Sequence, residues 1–198
     1  MSLVKNFFSY RVQLLSRRGF LFLILNALYF GFIFIGALLS QIPSIAVYEL
    51  PLGGTVFDVN VNPLLLLVEI FLFNLFASGL LVTTLPGLVL FVLPIGVVLW
   101  RALLWGTLIA QLPSPHFFAA LPTFILEGEA YVIAAVAGIT LGLSWLKPRW
   151  AYKDENLSRS EALRKAVREC AGLYVLVAVL LLIAAIVETA TIAYTSAL

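Results

Sequence analysis

Residues 19–39 read GFLFLILNALYFGFIFIGALL, an apolar run without a charged side chain. As a helix this run is about 30 Å long, which matches the hydrocarbon core of a bilayer. It is also too long for the hydrophobic region of a cleaved signal peptide. We therefore expect it to stay in the protein as a first membrane span.

The whole chain has the composition of an integral membrane protein. Of its 198 residues, 63% are hydrophobic and 11% are charged, whereas a soluble domain has about 25% charged residues. The single cysteine, Cys170, and the single histidine, His116, exclude an internal disulfide, a zinc site with several Cys or His ligands and a HExxH metalloprotease. We expect no cofactor and no bound metal.

The predicted fold class is all-α, a polytopic bundle of about five membrane spans that forms a single membrane domain over residues 1–198. An interfacial helix is predicted over 1–18, because Leu3, Phe7, Tyr10 and Leu14 recur on one helix face. The sequence Thr84-Leu85-Pro86-Gly87 predicts a tight turn between the second and third spans. The predicted spans cover residues 19–39, 63–83, 86–111, 116–146 and 171–193.

The distribution of charge predicts the orientation of the chain. Residues 1–18 hold four cations and no acid, residues 147–168 hold seven cations, and residues 40–62 hold two acids and no Lys or Arg. Because Lys and Arg concentrate in cytoplasmic segments, we expect a multi-pass protein of the cell membrane with a cytoplasmic N-terminus and an outer C-terminus. The segment 147–170 is then a cytoplasmic loop and helix.

Two spans contain helix-breaking residues. Pro94 is expected to kink the third span. Residues 116–146 would form a helix about 46 Å long, which is more than the bilayer needs. We therefore expect the fourth span to be kinked or broken, with Pro122 and Gly128 as the break points. A helix is also predicted to start near Ser158, at a capping box, and to continue into the last span.

Five charged residues lie within the predicted spans, where charge is costly and is a functional candidate by default. At 1.5 Å per residue they could converge in the outer half of the membrane or at its midplane. One alternative is a buried ion pair that holds spans together, with Arg101 bound to Glu127 or Glu69. The other is a site for a solute, a proton or an ion. The five residues are Glu69, Arg101, Glu127, Glu129 and Glu188.

Helix packing is predicted along one face of the fourth span, where small residues recur every four positions and permit close approach of another backbone. That backbone could belong to the same subunit or to a second copy in a homo-oligomer. Asn26 and Asn74 are expected to form hydrogen bonds between helices. The cationic segment 147–170 is either a solvated surface or a binding surface for lipid headgroups or a partner protein. The small residues are Ala130, Ala134, Gly138 and Gly142.

Enzyme activity is not expected. No GxSxG motif surrounds any serine, and the sequence Glu127-Gly-Glu129 with one histidine in the chain lacks the motif of an intramembrane metalloprotease. We expect the lipid bilayer as a partner and no nucleic acid.

The stretch Leu121-Pro-Thr-Phe-Ile-Leu-Glu127 precedes an Ala-rich helix that ends in Gly138-Ile-Thr-Leu-Gly142. This pattern resembles the signature of the stage II sporulation protein M family, in which Pro-His-Gly-x-x-Glu precedes a small-residue helix with a glycine pair. Phe73-Asn74, Gly87 and Gly106 are also similar to the pattern of that family. Thr123 and Phe124 stand where the family has His-Gly, and Arg101 stands where asparagine is common.

The resemblance implies a multispan membrane protein. The sporulation member of the family is the membrane anchor of a peptidoglycan-remodelling complex. The resemblance also implies an alternative, because some relatives are suspected of acting as permease-like subunits beside transport ATPases. We therefore expect a membrane scaffold or complex subunit. The alternative is a transporter or permease-like subunit that uses the intramembrane Glu/Arg cluster for passage of a solute, an ion or a proton.

Overall fold

The computed structural model describes residues 2–42, 62–153 and 155–195. Within these ranges the chain is helical and contains no strand. The all-α membrane bundle predicted from the sequence is confirmed. Most of the predicted outer segment 40–62 lies outside the described residues.

Eight α-helices and one π-helical segment follow one another along the described chain. The predicted spans correspond to the helices that are rich in apolar residues, which are α2, α3, α5, α6 and α8. The helices are α1 (Ser2–Arg17), α2 (Gly19–Leu39), α3 (Pro63–Leu72), the π-helical segment π1 (Phe73–Thr84), α4 (Pro86–Val89), α5 (Leu93–Ile109), α6 (Ser114–Leu146), α7 (Pro148–Ala151) and α8 (Arg159–Thr195).

Four of the helical stretches are long and apolar enough to cross a bilayer: Gly19–Leu39, Pro63–Val89, His116–Leu146 and Arg159–Ala193. The shorter apolar helix α5 has 17 residues, which as a helix is about 25 Å long. These five apolar helices agree with a bundle of about five spans.

The turn between the second and third spans lies later in the chain than the sequence predicts. Leu85 has helical backbone angles, and α4 extends the second span to Val89. The helix ends at Leu90, which is extended. Pro94 therefore lies in the first turn of α5 and does not kink the interior of a span. Backbone N–H groups in the first turn of a helix have no partner within the helix, so a proline there removes no helical hydrogen bond.

Helix α6 forms the centre of the bundle. In an apolar stretch of 18 residues, 78% of the residues are buried, compared with 17–33% in the corresponding stretches of the other three long spans. It packs along α8 and also contacts α2, α4, α5 and π1. The helix is continuous over 33 residues and includes Pro122. The expected break at Pro122 or Gly128 is therefore corrected to one unbroken helix, about 50 Å long.

The small-residue face of α6 packs against the same chain. A Cβ atom added at Gly138 would lie 2.7 Å from the carbonyl oxygen of Thr84 and 2.9 Å from Cγ of Pro94. A Cβ at Gly142 would collide with the backbone oxygen of Gly87. Ala130 and Ala134, on the same face, are fully buried. Of the two alternatives for this face, the structure shows packing within the subunit.

A second close approach joins α2 and α5. A Cβ at Gly36 would collide with the backbone of Leu103, and a Cβ at Gly106 would collide with the backbone of Ile33. The two glycines face each other, since Cα of Gly106 would lie 3.1 Å from a Cβ at Gly36. The absence of side chains at both positions therefore lets α2 and α5 pack backbone to backbone.

Helix α8 begins at a capping box and runs without interruption into the last span. The backbone N–H of Ser158 donates to Oε2 of Glu161 at 2.9 Å, and the N–H of Glu161 donates to Oγ of Ser158 at 3.4 Å. These bonds satisfy backbone donors that have no partner within the helix. The positively charged first turns of α8 and its apolar part are thus one rigid element.

Candidate functional site

A chain of hydrogen bonds crosses the centre of the bundle between π1 and α6. Nδ2 of Asn74 donates to Oε1 of Glu127 at 2.7 Å, and the hydroxyl of Tyr131 donates to Oδ1 of Asn74 at 2.9 Å. Glu127 and Tyr131 are one helical turn apart and therefore share a face of α6. Both are buried, with 5% and 0% of their surface exposed. Asn74 thus binds α6 with both ends of its amide group.

Helix α8 brings a second carboxyl group towards this chain. Glu188 of α8 acts electrostatically on Glu127. Glu188 is partly exposed, whereas Glu127 is buried. Two neighbouring carboxyl groups repel each other when both are ionised, and a proton shared between them removes this repulsion.

Helix α5 contributes Arg101, which lies over the ring of Tyr131. The guanidinium carbon is 4.0 Å from the ring centroid, a cation–π contact. Arg101 also acts electrostatically on Glu127. Within the described part of the chain, however, it is not in an ion pair. The expected direct pair of Arg101 with Glu127 or Glu69 is therefore corrected, because Arg101 stacks on the Tyr131 ring instead.

Together these residues form what we call the polar network: Asn74, Arg101, Glu127, Tyr131 and Glu188. It joins the second span, α5, α6 and α8. The sequence predicted four of the five as polar residues within spans. Tyr131 was missed, although its position four residues after Glu127 placed it on the same helix face.

Glu129 faces away from the polar network. On an unbroken helix its side chain points to nearly the opposite side from that of Glu127. The expected bond of Asn26 between helices is not formed by its Nδ2, which donates to the carbonyl of Phe22 within α2. Gly128, between the two acids, provides space for Tyr29, because a Cβ there would lie 2.6 Å from the Tyr29 ring. Gly128 therefore serves the packing of α2 on α6 and does not break the helix.

Glu69 is also outside the polar network. It is exposed on α3, whereas its neighbours Leu66 and Ile70 are buried with Ala185 of α8. The five intramembrane charges therefore do not form one cluster. Glu127, Glu188 and Arg101 come together, and Glu69 and Glu129 lie apart from them.

The π-helical form of π1 aligns polar residues that an α-helix would separate. Buried polar or small residues recur at Ser78, Gly79, Thr83 and Thr84, and the hydroxyl of Thr83 donates to the carbonyl of Ser78, five residues earlier. Asn74, Gly79 and Thr84 are spaced by five. This spacing is the signal in the sequence that could have indicated the segment, since π-helices bond residues five apart and often occur at functional sites.

Thr84 makes a second polar link between helices near the end of π1. Its hydroxyl donates to the carbonyl of Ala134 on α6 at 2.8 Å. The hydroxyl of Tyr174, on α8, lies 2.6 Å from the same Thr84 oxygen. Because Thr84 uses its proton for Ala134, Tyr174 is the donor in this contact. The second span, α6 and α8 are therefore linked at two levels.

A charged cluster joins the ends of the helices at the predicted cytoplasmic side. The hydroxyl of Tyr152 donates to Oε2 of Glu169 at 3.0 Å, and Nη2 of Arg18 lies 3.9 Å from the same oxygen. Lys165 pairs with Glu155 and lies 4.5 Å from the centroid of the Tyr152 ring. Burial, followed by the charge of Glu169, raises the pKa of Tyr152 above its usual value. The hydroxyl therefore stays protonated at neutral pH.

Groups of three or more His, Cys, Asp or Glu able to hold a metal ion do not occur within residues 2–42, 62–153 and 155–195. The chemistry available in the polar network is hydrogen bonding and the sharing of a proton between two carboxyl groups.

Comparison with protein families gives a match over most of the chain. The family model described as "SpoIIM: Stage II sporulation protein M" matches residues 20–191, which include α3, π1, α5 and α6 in full, nearly all of α2 and α8, and the whole polar network. No curated protein and no solved structure matches the chain.

Proposed function

Since the chain belongs to the stage II sporulation protein M family, we propose that it is a membrane scaffold, a subunit that holds other proteins in a complex at the bilayer. The family membership confirms the resemblance found in the sequence. The scaffold role is our own inference, and it is supported by the way in which the bundle is held together.

The observation that carries the proposal is the polar network. Its hydrogen bonds join π1 and α6, and the cation–π contact adds α5. The contacts of Thr84 with Ala134 and Tyr174 link the same two elements to α8. Polar groups that satisfy one another inside a bundle favour one arrangement of the helices, because any other arrangement leaves them without partners in an apolar medium. A fixed arrangement is what a subunit needs if it positions other proteins.

The surface of the bundle offers places for partners. Arg149, Lys153 and Arg164 are exposed in or beside the segment 147–170, where a cytoplasmic partner with an acidic surface could bind. Within the membrane, Glu69 is exposed on α3 among apolar residues. A lone acid at such a position is costly unless it meets a partner. Both surfaces fit a subunit that contacts other chains.

The scaffold proposal is tested by isolating the chain from membranes in a mild detergent. We expect the wild-type chain to migrate as an assembly larger than the chain alone. The double variant Arg149→Glu/Lys153→Glu should migrate at a lower mass, because it reverses two exposed charges. The matched control is Ser160→Glu, an exposed change at the start of α8. Migration of the wild type as an isolated chain would contradict the proposal.

The second candidate function is proton or ion transport, favoured by the electrostatic interaction between Glu127 and Glu188. This pair can exchange a proton, and Glu188 is partly exposed. Ionisable residues inside membrane spans form the proton relays of many transporters. The pair thus has the chemistry of a relay, although it also contributes to the network that fixes the helices.

Flux in proteoliposomes separates the two functions. Vesicles that hold a pH-sensitive dye and carry an imposed pH gradient would be compared with and without the protein. The scaffold proposal predicts the same flux in both, and no effect of Glu188→Gln. A protein-dependent flux that Glu188→Gln abolishes, while Glu69→Gln leaves it unchanged, would favour transport.

A further inference from the structure

An apolar groove runs along the outside of the bundle between the second span and α8. Its volume is about 400 Å³. The second span contributes Phe71 and Leu80 to its lining, and α8 contributes Ala171, Ala178 and Leu182. The groove is open to the surroundings of the bundle, and both of its walls belong to predicted membrane spans. Lipid is therefore the medium that reaches it.

The groove has a positively charged end. Arg168, Val175 and Leu182 are seven residues apart, which is close to two full turns, and they therefore lie on one face of α8. Arg164 is one turn before Arg168 on that face. Both arginines are exposed, and neither is in an ion pair with another described residue. Arg164 acts electrostatically on Glu161, which is bound to Ser158 in the capping box.

The length of the groove matches one leaflet of a bilayer. From Ala171 to Leu182 the axis of α8 advances about 17 Å, and half of the hydrocarbon core is about 15 Å thick. Arg168 lies immediately beyond the end at Ala171, at the level where headgroups begin. The apolar part thus fits an acyl chain, and the two arginines fit the phosphate above it.

The wall formed by α8 is held in place by a polar contact. Tyr174 lines the groove, and its hydroxyl donates to Thr84, which donates in turn to Ala134 of α6. The hydroxyl therefore holds the ring against the second span. A groove with a fixed wall loses little entropy when it is filled.

We propose that this groove binds one anionic phospholipid of the leaflet that faces the segment 147–170. The acyl chain lies between the second span and α8, and the headgroup phosphate binds Arg164 and Arg168. Anionic lipids are abundant in the cytoplasmic leaflet and attract basic residues next to membrane spans. The cations at the end of the groove select an anionic headgroup over a zwitterionic one.

Native mass spectrometry of the purified chain tests the proposal, with phosphatidylglycerol and phosphatidylcholine of the same acyl chains as probes. We expect phosphatidylglycerol to bind more tightly. Arg164→Ala/Arg168→Ala should weaken its binding about 30-fold, since each cation near a membrane surface contributes roughly a fivefold factor. Arg159→Ala is the matched control, because Arg159 lies on the opposite side of α8 from Arg168. It should change binding less than twofold.

A variant that fills the groove gives an independent test. Ala178→Phe should reduce the binding of both lipids, and its helical content and melting temperature show whether the bundle is intact. Equal binding of phosphatidylglycerol by the wild type and the double arginine variant would overturn the proposal. Unchanged lipid binding in a folded Ala178→Phe variant would also overturn the proposal. The same holds if Ala178→Phe abolishes a homodimer while phosphatidylglycerol still binds, because the groove would then hold a second copy of the chain.

Discussion

The close approach of α6 to π1 and α5 predicts that Gly138→Ala destabilises the protein. The added Cβ would lie 2.7 Å from the carbonyl oxygen of Thr84 and 2.9 Å from Cγ of Pro94. An ordinary contact begins at 3.4 Å, so the backbones must separate by about 0.7 Å. Overpacking of this kind costs about 1–3 kcal/mol. Gly138→Leu, which adds three more carbon atoms, should cost more and prevent the contact.

The matched control is Gly31→Ala in α2, where an added Cβ would meet no atom within 4 Å. Because alanine is the better helix former, by about 1 kcal/mol in water, this variant should be as stable as the parent or more stable. Unfolding by SDS in mixed micelles, followed by circular dichroism, measures both variants. The packing assignment is refuted if Gly138→Ala is as stable as Gly31→Ala.

Two further predictions concern orientation and the start of α8. In a Cys170→Ala background, a cysteine placed within 45–60 should react with an impermeant thiol reagent from outside, and one placed within 152–157 only from inside. The reason is that Lys and Arg concentrate in cytoplasmic segments. Labelling of both cysteines from one side would contradict the topology. Ser158→Ala should lower the unfolding free energy by about 1 kcal/mol, because it removes the cap from α8, and an unchanged midpoint in SDS titration would show that the cap is dispensable.

The membrane fold was predictable because the hydrophobicity of successive residues adds up along the chain. An apolar run such as 19–39 has one stable form in lipid, a helix that satisfies its own backbone. The end of the second span was not predictable in the same way. Pro86 and Gly87 are typical of a turn, but Gly87 is needed where the backbone contacts Gly138. This contact depends on tertiary packing, which outweighs the local preference for a turn.

The candidate site was predictable in its residue types and only partly in its geometry. Counting residues along each span predicted that Glu127 and Arg101 lie at the same depth in the membrane. Depth, however, does not determine the direction in which a side chain points around the helix axis. That direction places Glu69 outside the bundle and brings Tyr131 next to Arg101. The π-helical turn at Asn74 changes the directions again, and helical periodicity of 3.6 residues does not describe it.

The central claim is that the polar network fixes the arrangement of the spans, and a double-mutant cycle on Asn74 and Glu127 tests it most directly. The variants are Asn74→Leu, Glu127→Leu and the two combined, each measured by unfolding in SDS. Hydrogen bonds between membrane helices contribute about 0.6 kcal/mol on average and up to about 1.7 kcal/mol. We predict a coupling of about 1 kcal/mol, with the double variant more stable than the sum of the single effects. Additivity within about 0.3 kcal/mol would contradict the account.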